Sequence, residues 1–346
     1  MDENHQFETE QPVLPGRKAK KKIAKWKIVV SSLGGLAVLI GGTAGVFFYE
    51  LQPNQHFANP QSLPLVSTST TSGKSGSVTG LHAGELNMLL LGVDTRVPNT
   101  PARSDSMILI HANLNTHQFD VLSIARDTRI DLPPYGMTKI THANYMGDLH
   151  GGVVKGIEEA SQAVSNLTGL PINYYAEINH FGLQSLVDAI GGVTVDVPFA
   201  VPIIYAWYPD LNGKTIPAGV QHLDGEMASE LVHQRELLPN GDFSRQQLQE
   251  DLLLGIAKKM EKPQNWGMIP GFVNAIPKFL TVTNLSTTDM LSLALSLHGF
   301  KRSDVHYYQV PGSSMSAMDP IVGSILDYWN PDIPALNQII KQHFMN

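Results

Sequence analysis

The chain has 346 residues, of which 42% are hydrophobic and 16% are charged, and its formal net charge at pH 7 is −7. This apolar content is enough for a sizeable core, which excludes a wholly disordered chain. The sequence contains no cysteine. Disulfide frameworks, thiolate zinc sites and cysteine nucleophiles are therefore excluded, and Asp, Glu and His remain as metal ligands.

The charge is unevenly distributed along the chain. Residues 1–27 hold seven basic and four acidic side chains, a net charge of +3, whereas residues 50–346 hold 17 basic and 27 acidic ones, a net charge of −10. Nonspecific affinity for nucleic acid comes from neutralised phosphates. The acidic body of this protein therefore argues against nucleic acid as a partner.

An uncharged segment of 22 residues lies between Lys27 and Glu50. At about 1.5 Å per residue it would span roughly the 30 Å hydrocarbon layer of a bilayer, which predicts one transmembrane helix over residues 28–49. The basic tail of residues 1–27 precedes it, so the positive-inside rule predicts a single-pass cell-membrane protein with a cytoplasmic N-terminus and an extracellular body. A cleaved signal peptide is the alternative. Three successive aromatic residues at the end of the segment favour an uncleaved anchor.

Residues 50–84 are rich in Ser, Thr, Gly, Pro and Asn, which predicts a flexible spacer. Residues 85–346 are then predicted to form the extracellular domain, with a core at about residues 87–260 and a C-terminal part that packs onto it. Short apolar runs predict strands, and helical periodicity predicts helices. Strands are expected over residues 87–94, 106–113, 119–124, 174–178 and 193–197, and helices over residues 153–167, 180–190, 224–236, 244–260 and 287–297.

This order of elements predicts an α/β fold, a three-layer α-β-α domain with a central mixed sheet, preceded by one transmembrane helix. The helix predicted over residues 244–260 begins with Ser244 and has Gln247 three residues later, a capping-box pattern.

Six of the seven arginines after the membrane segment fall at predicted strand ends or beside helix ends. Because arginine suits bidentate contact with phosphate oxygens, this clustering indicates a polyanion site; ordinary surface ion pairs are the alternative. Arg245 directly follows the predicted cap Ser244, where the helix dipole disfavours a cation unless an anion occupies the helix N-terminus. Pairing with Asp242 would also explain its position.

Two aspartates stand at the ends of predicted strands. Asp94 ends the run LLLGVD, and Asp105 precedes the run SMILIHAN. Oxygen ligands at such an edge fit Mg²⁺, which one or two carboxylates hold together with substrate phosphates, although single aspartates there are commonly turn formers. With Arg96 and Arg103 nearby, the pattern suits phosphoryl transfer, in which positioning and charge neutralisation do most of the catalysis.

The motifs that carry these residues resemble the LytR-CpsA-Psr family of cell-envelope proteins. The likeness covers about residues 87–260, roughly half of the chain, with shorter matches at residues 283–294 and 310–312. Its strings are LLLGVDTR (89–96), RSDSM (103–107), SIARDTRI (123–130), KITHAN (139–144), INYYAEIN and VDAIGGVTVDVP (within 172–198) and GDFSRQQLQ (241–249).

The resemblance implies a membrane-anchored, Mg²⁺-dependent phosphotransferase of cell wall assembly. Such an enzyme moves an anionic glycopolymer, of teichoic-acid or capsule type, from a polyprenyl-pyrophosphate lipid to peptidoglycan. The resemblance implies that Asp94 and Asp105 bind Mg²⁺ and that Asp94, Asp105 and Arg126 are catalytic. The pyrophosphate-binding residues that it implies are Arg103, Arg126, Arg235, Arg245, Gln249 and His233, the last at a position where the family commonly has arginine.

Two alternative functions remain open at this point. One is a non-catalytic or regulatory envelope protein that binds lipid-linked glycan, and the other is a polyprenyl-pyrophosphate pyrophosphatase. In each case the lipid requires an apolar tunnel. The apolar faces of the predicted helices at residues 180–190 and 252–260 are candidates for its walls, although such faces more commonly pack into a core.

Overall fold

The computed structural model describes residues 49–63, 81–95, 100–261, 273, 276–297 and 301–345. The predicted cytoplasmic tail, the predicted transmembrane segment up to residue 48, and Arg96 lie outside these ranges. Within them, no helix is both long enough and apolar enough to cross a bilayer. The chain divides into two units at residue 50, and the elements that follow belong to the second unit, residues 50–346.

The second unit alternates strands and helices. Its strands are β1 (Glu85–Val93), β2 (Ser104–Asn113), β3 (Gln118–Ser123), β4 (Arg129–Leu132), β5 (Gly136–Lys139), β6 (Tyr174–Asn179), β7 (Val193–Val197), β8 (Val201–Pro202), β9 (Thr215–Ile216), β10 (Gly219–Leu223), β11 (Leu280–Thr283), β12 (Val305–Gln309), β13 (Gly312–Asp319) and β14 (Ser324–Pro331). Its α-helices are α1 (Pro53–His56), α2 (Thr141–Thr168), α3 (His180–Ala189), α4 (Gly225–His233), α5 (Asp242–Glu261), α6 (Thr287–Ser296) and α7 (Ile333–His343).

A six-stranded mixed sheet lies at the centre, in the order β11-β6-β1-β2-β3-β12. Strand β1 is antiparallel to β2 and parallel to β6. On one face of the sheet, Leu89 packs with Ile157 of α2 and Phe344 beside α7. On the other face, Ile108 packs with Leu254 of α5. The predicted α/β fold with a central mixed sheet is thus confirmed, and helices cover both faces.

The boundaries of several elements differ from those predicted. The helix expected over residues 153–167 runs over Thr141–Thr168, with a kink at Gly152, whose φ is 79° and whose ψ is 178°. The helix expected from Ser244 begins at Asp242. The predicted capping box is therefore wrong, because Ser244 lies inside the helix, where its Oγ accepts a hydrogen bond from the backbone N of Asn240 (3.0 Å).

The first described residues of the second unit pack onto the domain. Phe57 is fully buried and Leu51 nearly so. Phe57 contacts the ring of Tyr174 edge-on at 5.6 Å, and the backbone N of Leu63 donates to the carbonyl of Ile172 (2.8 Å). Residues 50–63 therefore belong to the folded domain rather than to the predicted spacer, because the burial of a few apolar side chains outweighs the polar composition of the segment.

A buried hydrogen-bond network joins the hairpin β13–β14 to the rest of the domain. Asp319 is fully buried and accepts hydrogen bonds from Thr138 Oγ1 (2.7 Å) and Tyr328 Oη (2.8 Å), and His142 Nδ1 lies 2.6 Å from Thr138 Oγ1. Burial alone would raise the pKa of Asp319, but the hydrogen bonds from Thr138, the Val322 backbone and Tyr328 lower it below its usual value. The carboxylate is thus stabilised in its charged form.

We expect Asp319→Ala to lower the free energy of unfolding by about 3 kcal/mol, because it leaves two buried hydroxyl groups without their acceptor. Asp327→Ala, on the neighbouring strand, is the matched control. Asp327 is exposed and accepts one hydrogen bond from Ser316, so its replacement should change stability by less than about 0.5 kcal/mol. Urea unfolding measures both values, and similar losses in the two variants would contradict the structural role of Asp319.

Candidate active site

A cavity of about 260 Å³ lies against the face of the central sheet that packs on α5. Its walls come from β1, β2 and β6 of the sheet and from α3, α4 and α5. Most of the lining is apolar, with Leu90, Ile178 and Leu252 as examples, whereas Asp105 and Arg245 are among its few charged residues. A mostly apolar cavity with a few polar groups is the usual form of a small-molecule site.

The polar groups meet where three strands reach the same edge of the sheet. Val93, the last residue of β1, pairs with Ser104 of β2 and with Asn179 of β6. Asp94 follows β1 and Asp105 is the second residue of β2, so the structure places both at this edge, and both line the cavity.

Two arginines contact Asp105. The Arg126 guanidinium forms an ion pair with the Asp105 carboxylate. Arg245 is almost fully buried, and its Nη2 donates to the Asp105 carbonyl (2.8 Å) and lies 2.5 Å from Asp242 Oδ1. Burial lowers the pKa of Arg245, the carboxylates of Asp242 and Asp105 oppose this effect, and the charges of Arg126 and Arg235 add to it. Arg235 itself is half-buried just after α4 and is not among the residues that line the cavity.

The ion pair with Asp242 explains why Arg245 stands in the first turn of α5. The structure therefore shows the second of the two explanations considered from the sequence, and it also places Arg245 in the lining of the cavity. Arg245 Nε is buried and has no hydrogen-bond partner among the described residues, which is consistent with a site completed by an anionic ligand.

Gln249 lies one turn further along α5. Its Oε1 accepts a hydrogen bond from Ser106 Oγ (2.9 Å), and its Nε2 lies 3.4 Å from the Val232 carbonyl. The side chain thus joins β2 to α4 at the wall of the cavity.

His233 and Arg103 occupy different surroundings. His233 lines the cavity, and its ring lies edge-on to Trp207 at 5.4 Å, while Trp207 stacks on His180 at 4.1 Å. An aromatic cluster therefore stands where the family resemblance leads one to expect a second arginine. Arg103 is exposed and lies over the Tyr145 ring at 4.8 Å, so the structure does not bring it into the cavity.

A second cavity, of about 360 Å³, adjoins the first. The two share five lining residues, and all the lining of the second is apolar except Glu250 and Ser296. Burial raises the pKa of Glu250 to about 7 despite the nearby charge of Arg302. The shared residues are Leu90, Ala176, Leu253, Ile256 and Leu280.

The donors for a metal ion at this edge are two carboxylates. Asp94 and Asp105 both line the first cavity, whereas no cluster of three or more His, Asp or Glu suited to a metal occurs among the described residues. This set fits Mg²⁺ of the kind held by one or two carboxylates and completed by substrate phosphates. It does not fit a metal held by protein ligands alone.

Glu177 is a polar residue that the sequence analysis did not single out. It lies within β6 and is 3% exposed, and its Oε2 has no hydrogen-bond partner among the described residues. Burial, and to a lesser extent the charge of Asp148, raise its pKa to about 7, and a hydrogen bond from Asn144 opposes this shift. The signal in the sequence is a single acidic residue inside the strand YYAEIN.

We expect Glu177→Gln to stabilise the protein at pH 8 by up to about 3 kcal/mol and to have a smaller effect at pH 5. A carboxyl whose pKa rises from 4.5 to about 7 on folding favours the folded state only while it is protonated. Its destabilising effect therefore grows as the pH rises from about 4.5 to about 7. Chemical denaturation of both proteins from pH 5 to pH 8 measures the difference, and a constant difference would contradict this expectation.

The sequence matches the LytR_cpsA_psr family over residues 60–344. It is 30% identical over 319 residues to the polyisoprenyl-teichoic acid–peptidoglycan teichoic acid transferase TagU of Bacillus anthracis, covering 90% of this chain and 94% of TagU. It is 26% identical over 313 residues to the TagT transferase of the same kind from Bacillus subtilis strain 168, covering 85% and 92% of the two chains.

Solved structures show the same fold. A structure of TagT bound to LIIa-WTA matches with a TM-score of 0.59 and 26% identity, covering 75% of this chain and 89% of that one. A structure of YwtF (TagT) with bound octaprenyl pyrophosphate lipid matches with a TM-score of 0.55 and 26% identity, covering 75% and 88%. The family match spans most of the chain and includes every residue of the site, and the chain therefore belongs to the LytR_cpsA_psr family.

Proposed function

We propose that this protein is a membrane-anchored phosphotransferase that moves an anionic glycopolymer from a polyprenyl-pyrophosphate lipid to peptidoglycan. One observation carries the proposal: two adjoining apolar cavities, of about 260 and 360 Å³, with an arginine and aspartate cluster at one edge. A ligand with a long apolar tail and a charged diphosphate head matches this arrangement, in which apolar cavities adjoin a cluster of charged side chains. The relatives named as teichoic acid transferases, and the TagT structure with a prenyl pyrophosphate, support this substrate class.

The arginines would bind the diphosphate. The charges of Arg126 and Arg235 both act on Arg245, and a ligand with several negative charges relieves this repulsion. Buried guanidinium groups bind phosphate oxygens more strongly than exposed ones, because less water competes. Gln249, held by Ser106 (2.9 Å), would add a neutral contact.

The reaction requires a hydroxyl group of the acceptor sugar to attack the phosphorus that bears the glycopolymer. A new O–P bond forms, the bond from that phosphorus to the bridging oxygen breaks, and the lipid monophosphate leaves. The hydroxyl proton passes to a base. Asp94 suits this role through a carboxylate oxygen that the metal leaves free, because it is exposed and lines the cavity, whereas Asp105 is ion-paired with Arg126.

Mg²⁺ is part of the proposal. Asp94 and Asp105 would hold it together with the donor phosphates, and the ion would supply additional neutralisation of the phosphate charge. The arginines of this chain bind and orient the diphosphate, and they stabilise the negative charge that develops on the leaving phosphate.

The location of the protein is also proposed. The uncharged segment 28–49 and the basic residues 1–27 support a single-pass anchor with a cytoplasmic N-terminus and an extracellular domain. This arrangement would hold the cavity near the membrane that carries the lipid donor.

One experiment separates this function from its alternatives. The full chain in detergent is incubated with Mg²⁺, a diphosphate-linked lipid glycan and peptidoglycan fragments. Covalent attachment of the glycan to peptidoglycan supports the transferase. Release of lipid monophosphate without attachment supports a pyrophosphatase, and donor binding with neither product supports a non-catalytic glycan-binding protein.

A further inference from the structure

A third cavity, of about 340 Å³, lies beside the candidate active site. It shares Asn179 and Leu280 with the lining of the first cavity and is also lined by Thr95, the residue after Asp94. Its volume falls within the range of about 300 to 1,000 Å³ that small-molecule sites occupy. A ligand bound there would be next to the edge of the sheet at which the diphosphate is proposed to bind.

Glu177 contributes a buried carboxylate to this cavity. Its neighbours in β6, Ala176 and Ile178, line the first cavity on one face of the sheet. Because side chains alternate along a strand, Glu177 points to the opposite face, on which Asp148 of α2 also lines the third cavity. The two sites are thus on opposite faces of the same strand end.

The fold alone does not explain a carboxylate at this position. Glu177 is 3% exposed and its Oε2 has no hydrogen-bond partner among the described residues. A buried carboxylate without a full set of partners is costly, and an apolar residue would suit the strand better. A ligand whose hydroxyl groups donate to the carboxylate would satisfy it.

The chemistry of the lining restricts the ligand. Among the described lining residues, two carboxylates, Glu177 and Asp148, and one lysine, Lys278, face the cavity, and these acceptors suit a ligand that donates hydroxyl groups better than a polymer rich in phosphate. Ser185 adds a hydroxyl group that can hydrogen-bond to a neutral polar ligand. Phe181 is 51% exposed and offers an aromatic surface for an apolar sugar face.

We propose that this cavity binds a neutral sugar ring of the acceptor glycan, whose hydroxyl groups donate hydrogen bonds to Glu177 and Asp148. The identification of the sugar as the acceptor rests on the proposed function. The donor polymer carries phosphate, which accepts hydrogen bonds and does not satisfy these carboxylates, while the acceptor must present a hydroxyl group at the edge that holds Asp94. A sugar in the third cavity is placed to do so, since Asn179 borders both cavities.

The first test is direct binding, with no donor present. Disaccharide units released from peptidoglycan by muramidase are titrated onto the full chain in detergent and followed by saturation-transfer NMR. Glu177→Gln should weaken binding about tenfold or more, the loss typical of one charge-assisted hydrogen bond. Phe181→Ala is a second variant at an exposed position, so weaker binding there cannot be attributed to unfolding of the core.

Glu85→Gln is the matched control. Glu85 is also buried in the central sheet, at 6% exposure, but it is the first residue of β1 and so lies at the end of β1 opposite to Asp94. Its two carboxylate oxygens accept hydrogen bonds from the His82 backbone and from Asn113 Nδ2, each at 2.9 Å. This variant should bind the disaccharide within twofold of the wild type. Equal affinities in the wild type and Glu177→Gln, or no binding to the wild type, would overturn the proposal.

The second test uses turnover and separates this proposal from the proposed function. Glu177→Gln should raise the KM for peptidoglycan fragments about tenfold and leave the Kd for a prenyl diphosphate unchanged. An unchanged acceptor KM in an active enzyme would overturn the sugar site and leave the transferase intact. Disaccharide binding that depends on Glu177 in a protein without transferase activity would instead support the sugar site and contradict the proposed function.

Discussion

Arg126→Ala is expected to lower the rate of glycan transfer by about 10²- to 10³-fold, the loss typical of removing one fixed donor to developing negative charge. Arg126 is partly exposed and ion-paired with Asp105. Its guanidinium is therefore held at the edge of the sheet where Arg245 contacts the same aspartate through the backbone (2.8 Å). Arg126→Lys retains the charge without the planar pair of donors and should give an intermediate rate.

Arg129→Ala is the control for this prediction. Arg129 follows three residues later, but its guanidinium lies over the Tyr328 ring at 5.7 Å, in the part of the domain that anchors the C-terminal hairpin. Its replacement should leave the transfer rate within about twofold while lowering thermal stability modestly, since it removes a cation–π contact. The rates are measured with a lipid-linked glycan and peptidoglycan fragments. Comparable losses in the two variants would show that general charge, rather than the position of Arg126, supports the reaction.

The strand ends of the candidate site were predictable from the sequence because their signals are local. The apolar runs that end at Asp94 and begin after Asp105 require strands, and adjacent strand ends bring both residues to one edge of the sheet. The position of Arg245 also carried a local signal, an unfavourable cation near a helix N-terminus. The start of that helix was predicted two residues too late, because Ser244 looks like an N-cap in the sequence. In the structure Ser244 lies inside the helix and accepts a hydrogen bond from the backbone N of Asn240 (3.0 Å), and Asp242 pairs with Arg245 in the first turn.

Features that depend on packing were not predictable. Residues 50–63 look like a spacer by average composition, yet the burial of Phe57 places them on the domain. Glu177 is a candidate site residue because Asp148 lines the same cavity. Asp148 belongs to α2, on the face of the sheet opposite to the two apolar cavities, and no spacing rule in the sequence connects Glu177 with Asp148. Arg103 shares a motif with Asp105, but it lies before the first residue of β2, and its guanidinium lies over the Tyr145 ring instead of lining the cavity.

Leu253→Trp is expected to shorten the apolar site and so to remove the preference for long prenyl tails. Leu253 lines both apolar cavities, and a larger side chain at their junction would fill space that the tail occupies. The diphosphate site at the edge of the sheet is unchanged, so the affinity for the shortest donor should be retained. The effect should therefore grow with tail length.

Water-soluble prenyl diphosphates provide the measurement. A tail that leaves a bilayer or a micelle for the cavity gains little, because both surroundings are apolar, whereas a tail that leaves water gains up to about 0.8 kcal/mol per buried CH₂ group. The measurement uses the fragment from Glu50 onward, since this fragment contains every element described. Its Kd should fall at least tenfold from geranyl to geranylgeranyl diphosphate. In Leu253→Trp this dependence should be nearly flat.

Leu253→Met keeps the volume of the side chain and serves as the control, since such exchanges in apolar sites usually cost less than about 1.5 kcal/mol. It should retain the dependence of Kd on tail length. If Leu253→Trp also retained it, the two cavities would not hold the tail, and an arginine cluster beside a packed apolar wall would then favour a shorter diphosphate ligand. If Leu253→Trp lost affinity equally for all tail lengths, the larger side chain would have disturbed α5 and the contacts of Arg245. The affinity of this variant for inorganic pyrophosphate tests that explanation.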